Sequence, residues 1–233
     1  MAPNPQPDEP DASAKPDHLG HRERLRERFL TGGADAMPDY EMLELLLFGA
    51  IARADTKPLA KRLLDRFGSF ANVISASPHD LKSVKGVGDS VVATLKIVRD
   101  AAVRLGRAEL KNRTLISSWD DLIAYCRAAM GRDSVEQFRI FFLDRKNALI
   151  ADEEQQRGTV DQTAVYPREV VKRALELHAS AIIMAHNHPS GDTTPSRGDI
   201  EMTRLVKEAC EKIGIALHDH VIISASGATS FRS

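Results

Sequence analysis

The stretch Met184-Ala185-His186-Asn187-His188-Pro189-Ser190-Gly191 sets two histidines two residues apart. Asp199 follows the second by eleven positions, with Ser196 three residues before it. Upstream, residues 179–185 are small or β-branched and uncharged, the pattern of a buried strand. Residues i and i+2 of a strand point to the same side, so His186 and His188 bring two imidazoles to one point. Two neutral imidazole nitrogens and one carboxylate oxygen form the open three-ligand set of a catalytic zinc, with water in the fourth position. The spacing predicts a metallohydrolase.

The same residues also fit plainer structural roles. Two histidines alone suit polar positions where a strand leaves the core. Ser196-x-x-Asp199 fits a looser helix-capping box, with Pro195 before it and the apolar-periodic run 200–213 after it. The readings are compatible, because a helix starting there holds Asp199 rigidly toward the strand end. Aspartate and serine at this spacing favour the metal.

The elements that must position these residues follow from periodicity. An alternating strand over 138–143 and a second over 148–151 make a hairpin around Asp144-Arg145-Lys146-Asn147. A helix over 168–178, a strand over 181–186, a helix over 199–213 and a strand over 219–223 come next. Such alternation implies a mixed sheet with helices packed on it. A short helix over 119–130 precedes it, and residues 112–118 separate it from a first half that is helical from about 20 to 107. There, 40–47 reads as a buried helix and 58–67 as another, with Leu59, Leu63 and Leu64 inward. Residues 1–18 are rich in Pro, Asp and Ala and nearly devoid of large apolar side chains, so a disordered tail is expected. The expected organisation is a tail (1–18), an all-helical domain (19–107) and an α+β domain (108–233).

The spacing H-x-H-x7-S-x2-D resembles the JAMM motif of the JAB/MPN zinc metalloproteases. His-Asn-His-Pro-Ser-Gly followed by Pro-Ser-x-x-Asp is similar to its bacterial RadC branch. Further matches are Phe142-Leu143-Asp144, Tyr166-Pro167-Arg168-Glu169 and Leu217-His218-Asp219-His220-Val221-Ile222-Ile223. In the amino-terminal half they are His21-Arg22-Glu23-Arg24-Leu25-Arg26 and the run from Asp39 to Leu47. The resemblance covers about residues 20–233 and implies a JAB/MPN-type, cytidine-deaminase-like mixed sheet flanked by helices. It also implies one zinc ion per chain on His186, His188 and Asp199, and a glutamate near the start of the domain that hydrogen-bonds the water. Glu136, just before the strand 138–143, matches that glutamate as general base and then acid. Glu153 and Glu154, expected after the second strand of the hairpin, are its rivals. Resemblance makes Ser196 the donor to a tetrahedral oxyanion. The implied reaction is amide or isopeptide hydrolysis of a protein or peptide.

Asp219-His220 before Val221 suggests a strand beginning near the site, with His220 either satisfied by loop backbone or supporting the ligands. His178 reads as a cation or partly buried contact at the end of its helix. Residues 81–95 look like a helix-hairpin-helix within about 71–100, with the apolar-Gly-apolar-Gly turn at Val84-Lys85-Gly86-Val87-Gly88. Gly86 and Gly88 allow a tight turn, and the next helix can offer its free N–H groups to phosphate. Eight basic residues against three acidic ones give +5 over 81–113. Contact there, with Lys85, Gly86 and Gly88 as candidates, would be to the DNA backbone without base specificity. A turn that only packs is the alternative. The mixed-sign run from His21 to Arg28 reads as a solvated helix face.

With 233 residues and a net charge of −1, the chain has room for two small domains, and its bulk charge does not discriminate a nucleic-acid partner. Cys126 and Cys210 are far apart and read as reduced, buried thiols of a cytoplasmic protein. No run approaches eighteen apolar residues, so no membrane span is expected, and the first residues lack an apolar signal core. Three functions stand against one another: a JAMM-type metallopeptidase near DNA, a DNA-binding repair-related factor or metal-dependent nuclease, and a catalytically silent MPN interaction module. The complete ligand set speaks against the last.

Overall fold

The computed structural model describes residues 17–111, 119–158 and 165–232. The expected tail and the separator at 112–118 lie, but for residues 17 and 18, outside the described residues. Two compact units emerge: residues through Val73 with Leu81–Thr94 make the first, and Ile74–Asp80 with Leu95 onward make the second.

The first unit is helical. It contains α1 (Asp17–Gly32), a 3-10 turn (Ala34–Ala36), α2 (Asp39–Ala50) and α3 (Lys57–Phe67). Then come α4 (Phe70–Ser75), α5 (Pro78–Lys82) and α6 (Asp89–Lys111), whose residues divide between the two units. Leu43 and Leu47 of α2 and Leu59 and Leu63 of α3 recur at i, i+4 and are buried, whereas Leu64 is only half-buried. The run His21–Arg28 is more than a solvated face. Arg22 donates to the carbonyls of Ile51, Ala52 and Ala54 at 2.7–2.9 Å, tying down the loop that leaves α2. Its guanidinium also lies 4.6 Å from the centre of the Phe48 ring. Carbonyls at and beyond a helix end lack helical partners, and a forked donor satisfies several at once.

The second unit is a mixed sheet between helical layers. Its strands are β1 (Glu136–Leu143), β2 (Leu149–Gly158), β3 (Ala181–Asn187), β4 (Ala216–Ile223) and β5 (Ala228–Ser230). They lie in the order β2-β1-β3-β4-β5, with β3 and β4 parallel and every other pair antiparallel. Helices α7 (Trp119–Ala129), α8 (Pro167–Glu176) and α9 (Arg197–Glu211) complete it.

Period-two alternation sorts the side chains. Phe141, Leu143, Ile183, Ala185, Val221 and Ile223 pack against Leu110 of α6 and Leu122, Tyr125 and Cys126 of α7. Phe138, Ile140, Phe142, Ile182 and Met184 pack against Val170 and Ala174 of α8 and Val206 and Cys210 of α9 on the other face. The two cysteines are free and buried in these opposite cores. Burial pushes both thiols up, Cys210 to about 11. Among the described residues no helix is long and apolar enough to cross a membrane.

β2 runs seven residues beyond its expected end, because its charges find partners. Asp152 accepts from Arg139 at 2.7 Å and Arg107 at 3.0 Å and also takes the Tyr125 hydroxyl, while Glu153 binds Arg173 at 2.6 Å. Glu153 and Glu154 therefore lie within the strand, not after it.

Candidate metal centre

The site forms where β1 begins, β3 ends and α9 begins. His186 is the penultimate residue of β3, paired with Phe138 of β1 on one side and Ile222 of β4 on the other. His188 lies one residue past the strand, but its N–H still reaches the Ile223 carbonyl at 2.9 Å, extending the ladder. Gly191, at φ 89°, turns the next segment so that the Asp192 carbonyl lies 2.6 Å from His188 Nδ1. Because a carbonyl only accepts, Nδ1 carries the proton, and Nε2 of the neutral ring holds a lone pair.

Asp199 comes from the first turn of α9. Ser196 is the N-cap: its Oγ accepts the Asp199 N–H at 3.1 Å, and Asp199 Oδ2 accepts the Ser196 N–H at 2.8 Å. The capping box and the candidate ligand are thus one structure. Ser196 Oγ accepts here, which leaves its O–H to donate elsewhere.

Four side chains converge. Glu136, His186, His188 and Asp199 each offer one ligand atom, all within 4.8 Å of one another. His186 Nε2 lies 3.0 Å from His188 Nε2 and 3.2 Å from Asp199 Oδ1, and His188 Nε2 lies 3.6 Å from Asp199 Oδ2. Ligands about 2.05 Å from a tetrahedral zinc stand about 3.3 Å apart, so the two histidines and the aspartate fit such an ion. Glu136 Oε1 stands farther out, 3.9 Å from His186 Nε2. Burial pushes the Asp199 carboxyl up, but hydrogen bonds from His186 and Ser196 outweigh it and hold the group well below the usual carboxylate range.

Around these four is a shell that the motif does not specify. Asn187, fully buried between the two histidines, accepts the Gln137 N–H at 2.7 Å. His186 Nδ1 lies 2.8 Å from His220 Nε2, so His220 supports the site and is not satisfied by loop backbone. Phe138 stacks on His186 with centroids 5.8 Å apart, and Phe231 stacks on His220 at 4.6 Å. Burial, and then the neighbouring His186, push the His220 imidazole well below its ordinary value, against the pull of Asp199. His178 is exposed at the end of α8 with φ 53° and takes no part. Glu153 and Glu154 do not join the cluster.

Lys85, Gly86 and Gly88 lie in the first unit, between α5 and α6. The Val87 N–H meets the Val84 carbonyl at 3.1 Å, and Gly86 adopts φ 98°. Lys85 is exposed, whereas Lys82 is paired with Asp89 at 2.5 Å. The Arg62 guanidinium of α3 stands 3.3 Å from where a Cβ on Gly86 would sit. No sequence motif marks that arginine, because α3 and the hairpin meet only in the fold.

A mixed sheet flanked by helices, with two histidines, an aspartate and a glutamate gathered at one end, is a JAB/MPN-type domain carrying a cluster able to hold a metal ion. Residues 116–233 match the RadC-like JAB domain, and residues 17–93 match the UPF0758 N-terminal region. The chain belongs to this RadC-like, UPF0758 family. A UPF0758 protein of Ruegeria pomeroyi is 60% identical over 213 residues, covering 91% of this chain and 95% of that protein. Another, of Rhodobacter capsulatus, is 61% identical over 209 residues, covering 90% and 98%.

Proposed function

We propose that this chain is a zinc-dependent hydrolase of amide or isopeptide bonds in a protein or peptide, with one ion held by His186, His188 and Asp199. The observation that supports it is the approach of two imidazole nitrogens to 3.0 Å of each other, one of them 3.2 Å from Asp199 Oδ1 and the other 3.6 Å from Asp199 Oδ2. Such groups repel unless a proton or a metal cation lies among them, and a metal cation satisfies all three at once. When bound, zinc supplies an acidified water near neutral pH and a Lewis acid for the carbonyl under attack.

The remaining chemistry falls to the chain. Glu136, just outside the three ligands and 8% exposed, takes the water proton on a carboxylate oxygen and returns it to the leaving amine. Ser196 donates its O–H to the oxyanion, a contribution of about 3 kcal/mol. Phosphodiester cleavage is the weaker reading, since such enzymes often use two metal ions. Among the described residues, this cluster is the one group of three or more convergent ligands.

Metal content decides first. The purified chain is expected to carry about one zinc, and a folded His186→Ala/His188→Ala variant none. A parent chain that stays metal-free after zinc is restored would end this reading and favour a silent interaction module.

We infer further that the amino-terminal unit touches the DNA backbone through the Lys85–Gly88 hairpin. Support comes from the exposed Lys85 and from the guanidinium of Arg62 beside Gly86. A substrate close to DNA would follow from that contact.

A further inference from the structure

His186 is linked to Asp199 by a second route, which avoids the metal position. Thr203 Oγ1 lies 2.5 Å from the Asp199 backbone carbonyl and 2.6 Å from His220 Nδ1, and His220 Nε2 lies 2.8 Å from His186 Nδ1. Read from its carbonyl end, the chain assigns a direction to each of its hydrogen bonds. A backbone carbonyl only accepts, so the Thr203 hydroxyl gives its proton to Asp199. The Thr203 oxygen must then accept from His220, which puts that ring's proton on Nδ1.

In the neutral form of this buried ring, a proton on Nδ1 leaves the lone pair on Nε2. Its Nε2 therefore accepts, and the donor is His186 Nδ1–H. What remains on His186 is an Nε2 lone pair, aimed at His188 and Asp199.

We propose that Thr203 and His220 are positioning residues that lock His186 in the Nδ1–H tautomer, so that Nε2 is ready for a divalent cation before one arrives. The inference rests on reading the cluster as a metal site. Asp199 and Thr203 are one turn apart on α9, so a single helix supplies both a ligand and the anchor of the relay. The rings are clamped as well: Phe231 stacks on His220, and Phe138 stacks on His186 while meeting His220 at 5.6 Å.

The relay opposes a specific competitor. Without a cation, Asp199 Oδ1, 3.2 Å from His186 Nε2, favours a proton on that nitrogen. Such a ring donates to Asp199 and cannot coordinate. Removing the Thr203 hydroxyl leaves His220 Nδ1–H without this acceptor. His220 can then move its proton to Nε2 and donate to His186 Nδ1, which drives His186 into the non-binding tautomer.

The test compares the parent with Thr203→Val, which keeps the shape of the side chain, and Thr203→Ser, which keeps the hydroxyl. Zinc dissociation constants are measured by competition with a chromophoric chelator. Ring-nitrogen NMR shifts of metal-free, 15N-histidine-labelled protein report the tautomers. Thr203→Val is expected to bind zinc about 10–100-fold more weakly and to show a protonated His186 Nε2, while Thr203→Ser follows the parent. His220→Gln, whose amide oxygen can accept in place of Nε2, should retain more affinity than His220→Leu. Parent-like zinc affinity and an unchanged His186 tautomer in folded Thr203→Val overturn the proposal. If the parent itself binds no zinc, the metal reading has failed, and the metal-free spectra still decide the tautomer lock.

Discussion

Asn187, the residue between the two candidate metal ligands, holds the backbone of the residue that follows Glu136. Its Oδ1 accepts the Gln137 N–H at 2.7 Å, and its Nδ2 donates to the Val135 carbonyl at 3.2 Å and the Asp133 carbonyl at 3.3 Å. One fully buried amide thus braces both flanks of Glu136 from the strand that carries His186. This contact, with the pairing of Phe138 and His186, places the proposed base relative to the candidate ligands.

Asn187→Asp is accordingly expected to harm the site more than its size suggests. A carboxylate can still accept from Gln137, but it cannot donate to two carbonyls, and it buries a charge beside them. We expect a loss of about 1–3 kcal/mol in stability, read by chemical denaturation. Hydrolysis should fall further than zinc content does. A variant as stable and active as the parent would remove Asn187 from this role.

Glu136→Gln separates a proton carrier from a ligand. Because Glu136 stands outside the three closer groups, zinc stoichiometry should stay near that of the parent while turnover falls by about 10²–10⁴. Parallel loss of zinc would instead make Glu136 a ligand. Full turnover with zinc bound would free it of any role.

Much of this arrangement is readable from residue order, for reasons that also explain what is not. The buried strand before His186 and the capping signature at Ser196 are local patterns, and the candidate ligands lie at the end of one and within the other. His220 is different. β4 pairs Leu217 with Ile182 but Asp219 with Ile183, so one extra residue enters the strand. That shift turns His220 toward α9, whereas strict alternation from Leu217 would have placed Asp219 there. Asn187 and Thr203 act through backbone groups and a second histidine, which carry no spacing signature. The charges at Asp152 and Glu153 read as the end of a strand at 151, and β2 continues through them because Arg139, Arg107 and Arg173 come to meet them.

Tyr125, buried beside those β2 charges, gives stability an alkaline limit. Burial, and then the charge of Asp152, push the Tyr125 phenol up to about 12 from an ordinary value of 10.0. With its folded value above its unfolded one, the group contributes stability fully below about pH 10, and this contribution fades as pH rises toward 12. The loss across that window is roughly 3 kcal/mol. Tyr125→Phe should begin with a different stability at neutral pH but decline less steeply above about pH 10. Denaturation curves of both proteins at several alkaline values measure the slopes; equal slopes would show that Tyr125 does not set the limit.

The proposed DNA contact makes a prediction in salt as well as in sequence. A basic hairpin gripping phosphates releases counterions, so affinity for a labelled duplex should fall steeply as salt rises, with little dependence on base sequence. Lys85→Glu and Arg62→Glu should each weaken binding and reduce the salt slope by about one. Gly86→Asp attacks the backbone instead: it adds a side chain at φ 98°, against Arg62, as well as a negative charge. Lys82 is the informative control, because its charge is already paired with Asp89, and its replacement by Gln should cost less than that of Lys85. If all of these variants bind as the parent does, the hairpin only packs, and any affinity for DNA has its origin elsewhere in the chain.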